Sequence, residues 1–157
     1  MESKNKTILV TASAKRLGKF IAIDLIKKGW KVAIHYHKSK TLAEDTADYL
    51  FKIGGNVSIH QADLTCNSDI EKLVNEIEAQ DSKWVGLINN AGYFNYDNGK
   101  NFRVEELHHH MSVNFIAPTL LTKALAKYTI KMTKKANNCQ GFVINILDAK
   151  IFGLNPD

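Results

Sequence analysis

The groups best placed to do chemistry lie in a turn that joins a short β-rich segment to an amphipathic helical segment. The turn runs from Thr11 to Gly18 and is rich in small and basic residues. Free backbone N–H groups and the helix dipole favour anions at the start of a helix. We therefore predict a pyrophosphate site here, with contacts from Thr11, Ser13, Lys15, Arg16, Leu17 and Gly18.

A second set of hydrogen-bond donors lies at the end of the second strand and consists of His35, Tyr36, His37, Lys38 and Ser39. Enzymes that prefer NAD carry an acidic residue about 20 positions after the turn, where it binds the ribose 2′-hydroxyl. This region contains no carboxylate, whereas Lys38, Ser39 and Arg16 would suit a 2′-phosphate. We therefore predict NADP as the cofactor rather than NAD. A solvated basic loop would contain the same residue types, but nothing would require it to follow a strand.

Strand and helix patterns alternate along the chain. Consecutive apolar residues, as at positions 8–10, are typical of parallel strands that helices cover on both faces. The predicted strands are Thr7–Thr11, Lys31–Tyr36, Asn56–His60, Trp84–Asn89 and Gly141–Leu147. Helices are predicted over 16–29, 41–53, 68–79 and 102–134, the last interrupted at Pro118, whose ring removes one backbone hydrogen bond. The pattern predicts an α/β fold, a doubly wound parallel Rossmann-type sheet of about five strands in the order 3-2-1-4-5.

In such sheets the ligand binds outside the carboxyl ends of the strands. Small and polar residues also follow the third, fourth and fifth predicted strands, at Asp63, Asn89–Gly92 and Asp148. Loops are commonly polar, so one such segment alone carries little weight. Together the strand ends predict a single binding edge.

The turn and the Asn-Asn-Ala-Gly segment after the fourth strand together resemble the short-chain dehydrogenase/reductase family, whose turn usually reads Thr-Gly-x-x-x-Gly-x-Gly. Within that family the chain is most similar to the pteridine reductases, which carry Arg at the middle glycine position, here Arg16, and a His-Tyr segment after the second strand. Gly18 fits the pattern. Ala12 stands where the first glycine is expected, so we expect its methyl group to crowd the backbone or the cofactor.

The resemblance implies further contacts with the cofactor. Asp63 would accept from the adenine amino group, and the backbone amide of Leu64 would donate back to the adenine ring. The cofactor riboses would be lined by Asn90, Ala91 and Gly92.

The resemblance also implies two catalytic positions, Asn114 and Asp148. The Asn114 carbonyl would hold a water molecule in a proton relay. Asp148 replaces the Ser of most relatives and, if held protonated, could donate to the substrate, although it could also be only a cap or turn residue. The implied reaction is hydride transfer from NADPH to a C=N or C=O group of a pterin-like or other carbonyl substrate.

The family also uses a Tyr-x-x-x-Lys pair about a dozen residues after the fifth strand, on one helical face. Only nine residues follow Asp148, and the pairs Tyr36/Lys40 and Tyr96/Lys100 have the spacing but lie elsewhere. We expect residues 1–157 to form a single, incomplete dinucleotide-binding domain, truncated after the fifth strand. We also expect no turnover by this chain alone, and a partner that is either a second copy or a complementing C-terminal chain.

Composition excludes several other classes. The chain has 157 residues and a formal net charge of +5, but its Lys residues are scattered, so we expect no nucleic-acid partner. Two distant cysteines and three consecutive histidines, His108–His110, whose side chains diverge by about 100° on a helix, predict no metal site. No apolar run approaches roughly 18 residues, so we expect no membrane partner and a cytoplasmic location.

Two other interpretations stay open at this point. The chain could be a non-catalytic nucleotide-binding or interaction module that uses an exposed sheet edge to join a partner. It could also be a decayed remnant of an enzyme that binds nothing, because Ala12 replaces a glycine in the turn.

Overall fold

The computed structural model describes residues 5–80, 82–96, 100–136 and 140–148. These ranges contain alternating strands and helices in the order expected for a doubly wound fold. The elements are β1 (Lys6–Val10), α1 (Arg16–Lys27), β2 (Lys31–Tyr36), α2 (Lys40–Lys52), β3 (Val57–Gln61), α3 (Asn67–Glu78), β4 (Lys83–Asn89), α4 (Val104–Met111), a π-helical segment (Ser112–Ile116), α5 (Ala117–Ala136) and β5 (Phe142–Asn145).

The described strands form one parallel sheet in the order β3-β2-β1-β4-β5. This confirms the predicted fold class and strand order. The order reverses direction at β1, so the crevice between the segments that follow β1 and β4 is the expected ligand position.

The sheet buries apolar side chains on both of its faces. Leu9 and Leu87 pack with residues of α3 and α5 on one face, whereas Ile8 and Val10 pack with residues of α1 and α2 on the other. Because successive residues of a strand point to opposite faces, β1 needs an unbroken apolar run. The sheet is therefore a rigid base from which the strand ends project.

Glycines end the first two helices where the sequence predicts it. Gly29 (φ 83°) and Gly54 (φ 85°) adopt left-handed backbone conformations, and their N–H groups donate to carbonyls of the preceding turns. Glycine adopts such conformations without a steric penalty from Cβ. The two turns bring the chain back to β2 and β3.

The long helical stretch is interrupted before Pro118 rather than at it. The π-helical segment Ser112–Ile116 separates α4 from α5, and Pro118 lies in the first turn of α5. Proline is tolerated in a first helical turn, where its fixed φ suits the helical backbone. The missing N–H instead affects Asn114, whose carbonyl would be its acceptor in a continuous α-helix.

The last strand, β5, lies at one end of the described sheet and is less buried than the central strands. Ile144 of β5 is 45% exposed and Leu147, just after it, is 72% exposed. In the described ranges β5 pairs with β4 on one side. No helix in these same ranges combines the length and apolar character needed to cross a membrane.

Candidate functional site

The turn after β1 contains two residues with left-handed backbone conformations. Both Ala12 and Arg16 have φ of 51°, which costs an L-residue about 1 kcal/mol or more. The alanine that replaces the first glycine of the motif therefore keeps a conformation that glycine would adopt freely. Crowding from its Cβ takes the form of backbone strain, and the Ala12 side chain itself is exposed.

Thr11 fastens this turn to the segment after β4. Its buried Oγ1 accepts the backbone N–H groups of Asn90 and Ala91, both at 2.9 Å, and donates to the Ile88 carbonyl at 3.4 Å. The Asn90 side chain completes the junction, because its Nδ2 donates to the Thr11 carbonyl at 2.9 Å. Two predicted cofactor segments thus lie against each other at the carboxyl ends of adjacent strands.

Gly18 permits a close approach between α1 and the turn. A Cβ at this position would lie 2.6 Å from the Ala12 carbonyl oxygen, 2.7 Å from Asn90 Nδ2 and 2.7 Å from Ser13 Cα. Such distances exclude any side chain, so the sequence needs glycine here. The approach places the start of α1, with its unpaired N–H groups, directly over the strand end.

The side chains at the start of α1 are open to solvent. Lys15, Arg16 and Leu17 are all exposed, and Lys15 occupies the N-cap position without making a side-chain capping bond. An anion at this helix start would meet two cationic side chains and the first backbone N–H groups of α1.

The segment that ends β2 and leads into α2 divides into a buried and an exposed part. His35 is only 2% exposed, and its side chain faces the turn rather than solvent. Tyr36 is half-buried, whereas His37 and Lys38 are exposed. Ser39 is the N-cap residue of α2, yet its hydroxyl makes no capping bond there.

Asp63, after β3, is fixed by its neighbours. Its Oδ1 accepts from the backbone N–H and the hydroxyl of Thr65, at 2.9 and 2.8 Å, and its Oδ2 lies 3.3 Å from His37 Nε2. Partial burial raises the pKa of Asp63, but the Thr65 hydrogen bonds and nearby His37 outweigh it, so the pKa falls below its usual value. Leu64 lies in the core with only 7% exposure, which leaves its backbone for any ligand contact.

A cavity of about 650 Å³ opens at the ends of β4 and β5. Its lining includes Ala91, Gly92, Asn114 and Asp148. The two predicted catalytic residues therefore share one cavity, next to the predicted ribose segment. The cavity is large enough for a small planar substrate beside a nicotinamide ring.

The Asn114 side chain holds the loop that follows β4. Its Oδ1 accepts the Tyr93 N–H and its Nδ2 donates to the Tyr93 carbonyl, both at 2.8 Å. Because its amide is used in this way, only the Asn114 backbone carbonyl could serve the predicted water relay. A π-helical segment is frequent at functional sites, which agrees with Asn114 lying within one.

Sequence reasoning missed an asparagine pair at the base of the cavity. Asn89 Nδ2 donates to Asn145 Oδ1 at 2.8 Å, across the β4–β5 pairing in which the two residues are partners. Asn89 is 4% exposed, and its Oδ1 has no partner in the described part of the chain. Both asparagines end strands in the structure, whereas the sequence predicts that the fifth strand continues to Leu147, and only the register puts the two together.

Two of the three histidines of α4, His109 and His110, pack against the aromatic ring of Tyr93. The rings of His109 and His110 lie 4.1 and 4.9 Å from the Tyr93 ring, and His110 also lines the cavity. The Tyr93 hydroxyl donates to Glu106, and this bond raises the pKa of Tyr93. Over the described residues, no group of three or more His, Cys, Asp or Glu could hold a metal ion.

Known proteins provide an independent comparison with this arrangement. A sequence profile of the short chain dehydrogenase family matches residues 6–148, which is nearly the whole chain. The chain belongs to the short chain dehydrogenase family. Membership confirms the resemblance predicted from the turn and the Asn-Asn-Ala-Gly segment, and the family uses nicotinamide cofactors.

Two relatives illustrate the match within the family. The chain is 35% identical over 91 residues to the short-chain dehydrogenase/reductase homolog YusS of Bacillus subtilis, covering 58% of this chain and 84% of the relative. It is 24% identical over 139 residues to the uncharacterized oxidoreductase YgfF of Escherichia coli, covering 88% of this chain and 55% of the relative.

Among solved structures, FolM alternative dihydrofolate reductase 1 from Brucella canis, complexed with NADP, superposes with a TM-score of 0.87 at 31% sequence identity. The match covers 99% of this chain and 61% of that one. The chain thus spans a little less than two thirds of the FolM structure.

Proposed function

We propose that this chain binds NADP along the carboxyl ends of β1, β2 and β4. The observation that carries the proposal is the junction made by Thr11, whose hydroxyl joins the turn to Asn90 and Ala91. The site fits the cofactor because Gly18 leaves no room for a side chain beneath the turn. The pyrophosphate would lie at the start of α1 and the riboses would lie beside residues 90–92.

The charges after β2 favour a 2′-phosphate. Arg16, Lys38 and Ser39 offer donors at neighbouring strand ends, and no carboxylate stands among them to bind a free 2′-hydroxyl. The NADP complex of the FolM relative supports the same choice. Charge-assisted hydrogen bonds to phosphate contribute roughly 1.5–3 kcal/mol each, which is enough to separate NADPH from NADH.

We expect NADPH to bind at least tenfold more tightly than NADH, and Lys38→Gln to remove most of this difference. The reason is that Lys38 would face only the 2′-phosphate, so NADH affinity should stay unchanged. Titration of NADPH and NADH fluorescence measures both constants. A matched control is Lys52→Gln, because Lys52 ends α2 about 18 Å from its start and is also exposed.

Two results would count against this assignment. Equal loss of NADPH and NADH affinity in Lys38→Gln would place Lys38 elsewhere in the site. Absence of binding at millimolar NADPH would support the decayed remnant, with the strained Ala12 as its cause.

We further propose a pterin-like or other carbonyl substrate in the cavity that Asn114 and Asp148 line. When bound, NADPH would supply a hydride to a C=N or C=O group. Asp148 would donate a hydrogen bond or proton to the substrate, and the Asn114 carbonyl would hold the water that leads to solvent. FolM is named a dihydrofolate reductase, and dihydrofolate contains a pterin ring, which supports this substrate class.

Because no turnover is expected from this chain alone, Asp148 is tested in the assembly with a complementing chain that supplies the Tyr and Lys. In that assembly, replacement of Asp148 by alanine should lower NADPH-dependent reduction of a dihydropterin at least tenfold while NADPH affinity changes less than threefold. Asp148 lines the cavity, whereas the phosphates would lie at the start of α1, so the substitution separates chemistry from cofactor binding. Absorbance at 340 nm follows the reaction. Reduction that survives in Asp148→Ala would exclude the proposed role, and cofactor binding without any reduction even in that assembly would favour the nucleotide-binding module.

The exposed side of β5 suits an additional strand. Ile144 and Leu147 leave apolar surface beside that edge, and an edge strand offers unpaired N–H and C=O groups to a partner. We propose that a second copy or a complementing chain covers this edge in the functional protein. Sedimentation analysis of the purified chain distinguishes an assembly from a monomer.

A further inference from the structure

The buried imidazole of His35 connects two loops of the proposed cofactor site. Its Nδ1 accepts the backbone N–H of Ala12 at 3.0 Å, and its Nε2 lies 3.1 Å from the Ala62 carbonyl oxygen. Ala12 belongs to the turn after β1, whereas Ala62 directly precedes Asp63. One side chain thus contacts the pyrophosphate side and the adenine side of the site.

The partners of the ring determine its tautomer. A backbone N–H can only donate, so the Nδ1 that meets Ala12 must be the unprotonated nitrogen. A carbonyl can only accept, so the Nε2 that meets Ala62 must carry the hydrogen. His35 is therefore neutral, and both of its ring nitrogens are used within the protein.

Backbone bonds reinforce the same contact. The Ser13 N–H donates to the His35 carbonyl at 3.0 Å, and the His35 N–H donates to the Ser13 hydroxyl oxygen at 3.2 Å. The Ser13 hydroxyl in turn donates to the Val10 carbonyl at 2.7 Å. The fully buried Ser13 side chain and His35 together hold the turn against β2.

The conformation of Ala12 explains why such a connection is needed. Its φ of 51° is a left-handed conformation with a steric cost that a glycine would not have, and a turn under this strain would relax without a restraint. The hydrogen bond from the Ala12 N–H to the buried Nδ1 of His35 would be lost if the turn relaxed, so it opposes the strain. The bond can therefore hold the alanine in place.

We propose that His35 is a positioning residue that holds the strained turn in the conformation required for cofactor binding, a part that a glycine at position 12 would otherwise play. The inference rests on the proposed binding of NADP and assigns His35 no direct contact with it. It explains how the turn remains suited to phosphate although Ala12 replaces the first glycine of the motif.

Two amide substitutions test the roles of the two His35 ring nitrogens separately, because each amide replaces only one of them. The Oδ1 of His35→Asn can accept from Ala12 in the place of Nδ1, whereas the Nε2 of His35→Gln can donate to Ala62 in the place of Nε2. We expect NADPH affinity to stay within about threefold in His35→Asn and to fall at least tenfold in His35→Gln. Equal affinities in two variants of equal melting temperature would overturn the proposal, since a merely structural role predicts no difference.

The third variant, Ala12→Gly, keeps the backbone N–H and removes the strain. If His35 already holds the turn in the conformation that the missing glycine would allow, NADPH affinity should change less than threefold in this variant. A gain of tenfold or more would overturn the proposal, because the alanine would then be a defect that His35 does not correct. This variant decides the question even if both His35 variants fail to fold.

A measurement without cofactor tests the two hydrogen bonds of the His35 ring directly. Nitrogen-15 NMR of the unsubstituted protein should find His35 protonated at Nε2 alone, and the Ala12 amide should exchange slowly with solvent. A proton on Nδ1 would overturn the proposal whatever the cofactor result. If the protein binds no NADPH but this tautomer and slow exchange are observed, the proposed function fails, while the contact by which His35 holds the turn is still supported.

Discussion

Replacement of Gly18 by alanine should lower the free energy of unfolding by about 3 kcal/mol and abolish NADPH binding. The new Cβ would lie 2.6 Å from the Ala12 carbonyl oxygen and 2.7 Å from Ser13 Cα, both fixed backbone atoms. Overpacking of this kind costs roughly 1–3 kcal/mol and sometimes more. Relief of the clash would move α1 away from the turn, so the backbone N–H groups at the start of α1 would lose the position needed to bind an anion. Urea denaturation followed by circular dichroism measures the loss.

Because alanine has a higher helix propensity than glycine, the sign of the change in unfolding free energy for Gly18→Ala is informative. Within a helix alanine is about 1 kcal/mol better than glycine, so without the clash Gly18→Ala would stabilise α1. Gly54→Ala is the matched control, since Gly54 has a φ of 85° and nothing lies within 4 Å of its added Cβ. That variant should lose only about 1 kcal/mol, from its left-handed backbone, and keep NADPH affinity. A stabilised Gly18→Ala protein would contradict the close approach of α1 to the turn.

The sheet could be predicted from sequence because both of its faces are covered. Burial on both faces forces continuous apolar runs, and the run at 31–36 matches β2 at both ends. Glycines that favour left-handed conformations marked the ends of α1 and α2. The sequence predicts an interruption of the long helix at Pro118, whereas in the structure the irregular segment is Ser112–Ile116. Proline is tolerated in the first turn of α5.

The site was less predictable than the fold, since sequence gives residue types but not where a side chain points. His35 was expected to contact the cofactor with its neighbours, yet both ring nitrogens face backbone groups inside the protein. The Asn89–Asn145 pair depends on strand register, which no local pattern encodes. His37 and Lys38, in contrast, are exposed at the strand end where the sequence placed them.

Acidification from pH 6.5 to about pH 4 should destabilise the protein by about 3 kcal/mol through His35 alone. Burial lowers the pKa of His35 to about 4, helped by His37 and His60 and opposed by the bond to Ala62. The folded protein therefore resists protonation while the unfolded chain takes up a proton as the pH falls through 6.5. Stability from this group is complete above pH 6.5 and is lost by about pH 4. Asp63, whose pKa is lowered from 3.8, loses its contribution only at still lower pH.

His35→Asn provides the comparison that isolates this effect, because an amide does not titrate and the other five histidines are unchanged. Urea denaturation at several pH values between 4.5 and 7 should give a steep loss of unfolding free energy for the unsubstituted protein and a shallower one for the variant. Parallel curves would mean that His35 is not buried as a neutral ring. A protonated Nδ1 could no longer accept from Ala12, so the same acid range should weaken NADPH binding before global unfolding. In this protein, acid stability and the shape of the turn therefore depend on the same imidazole.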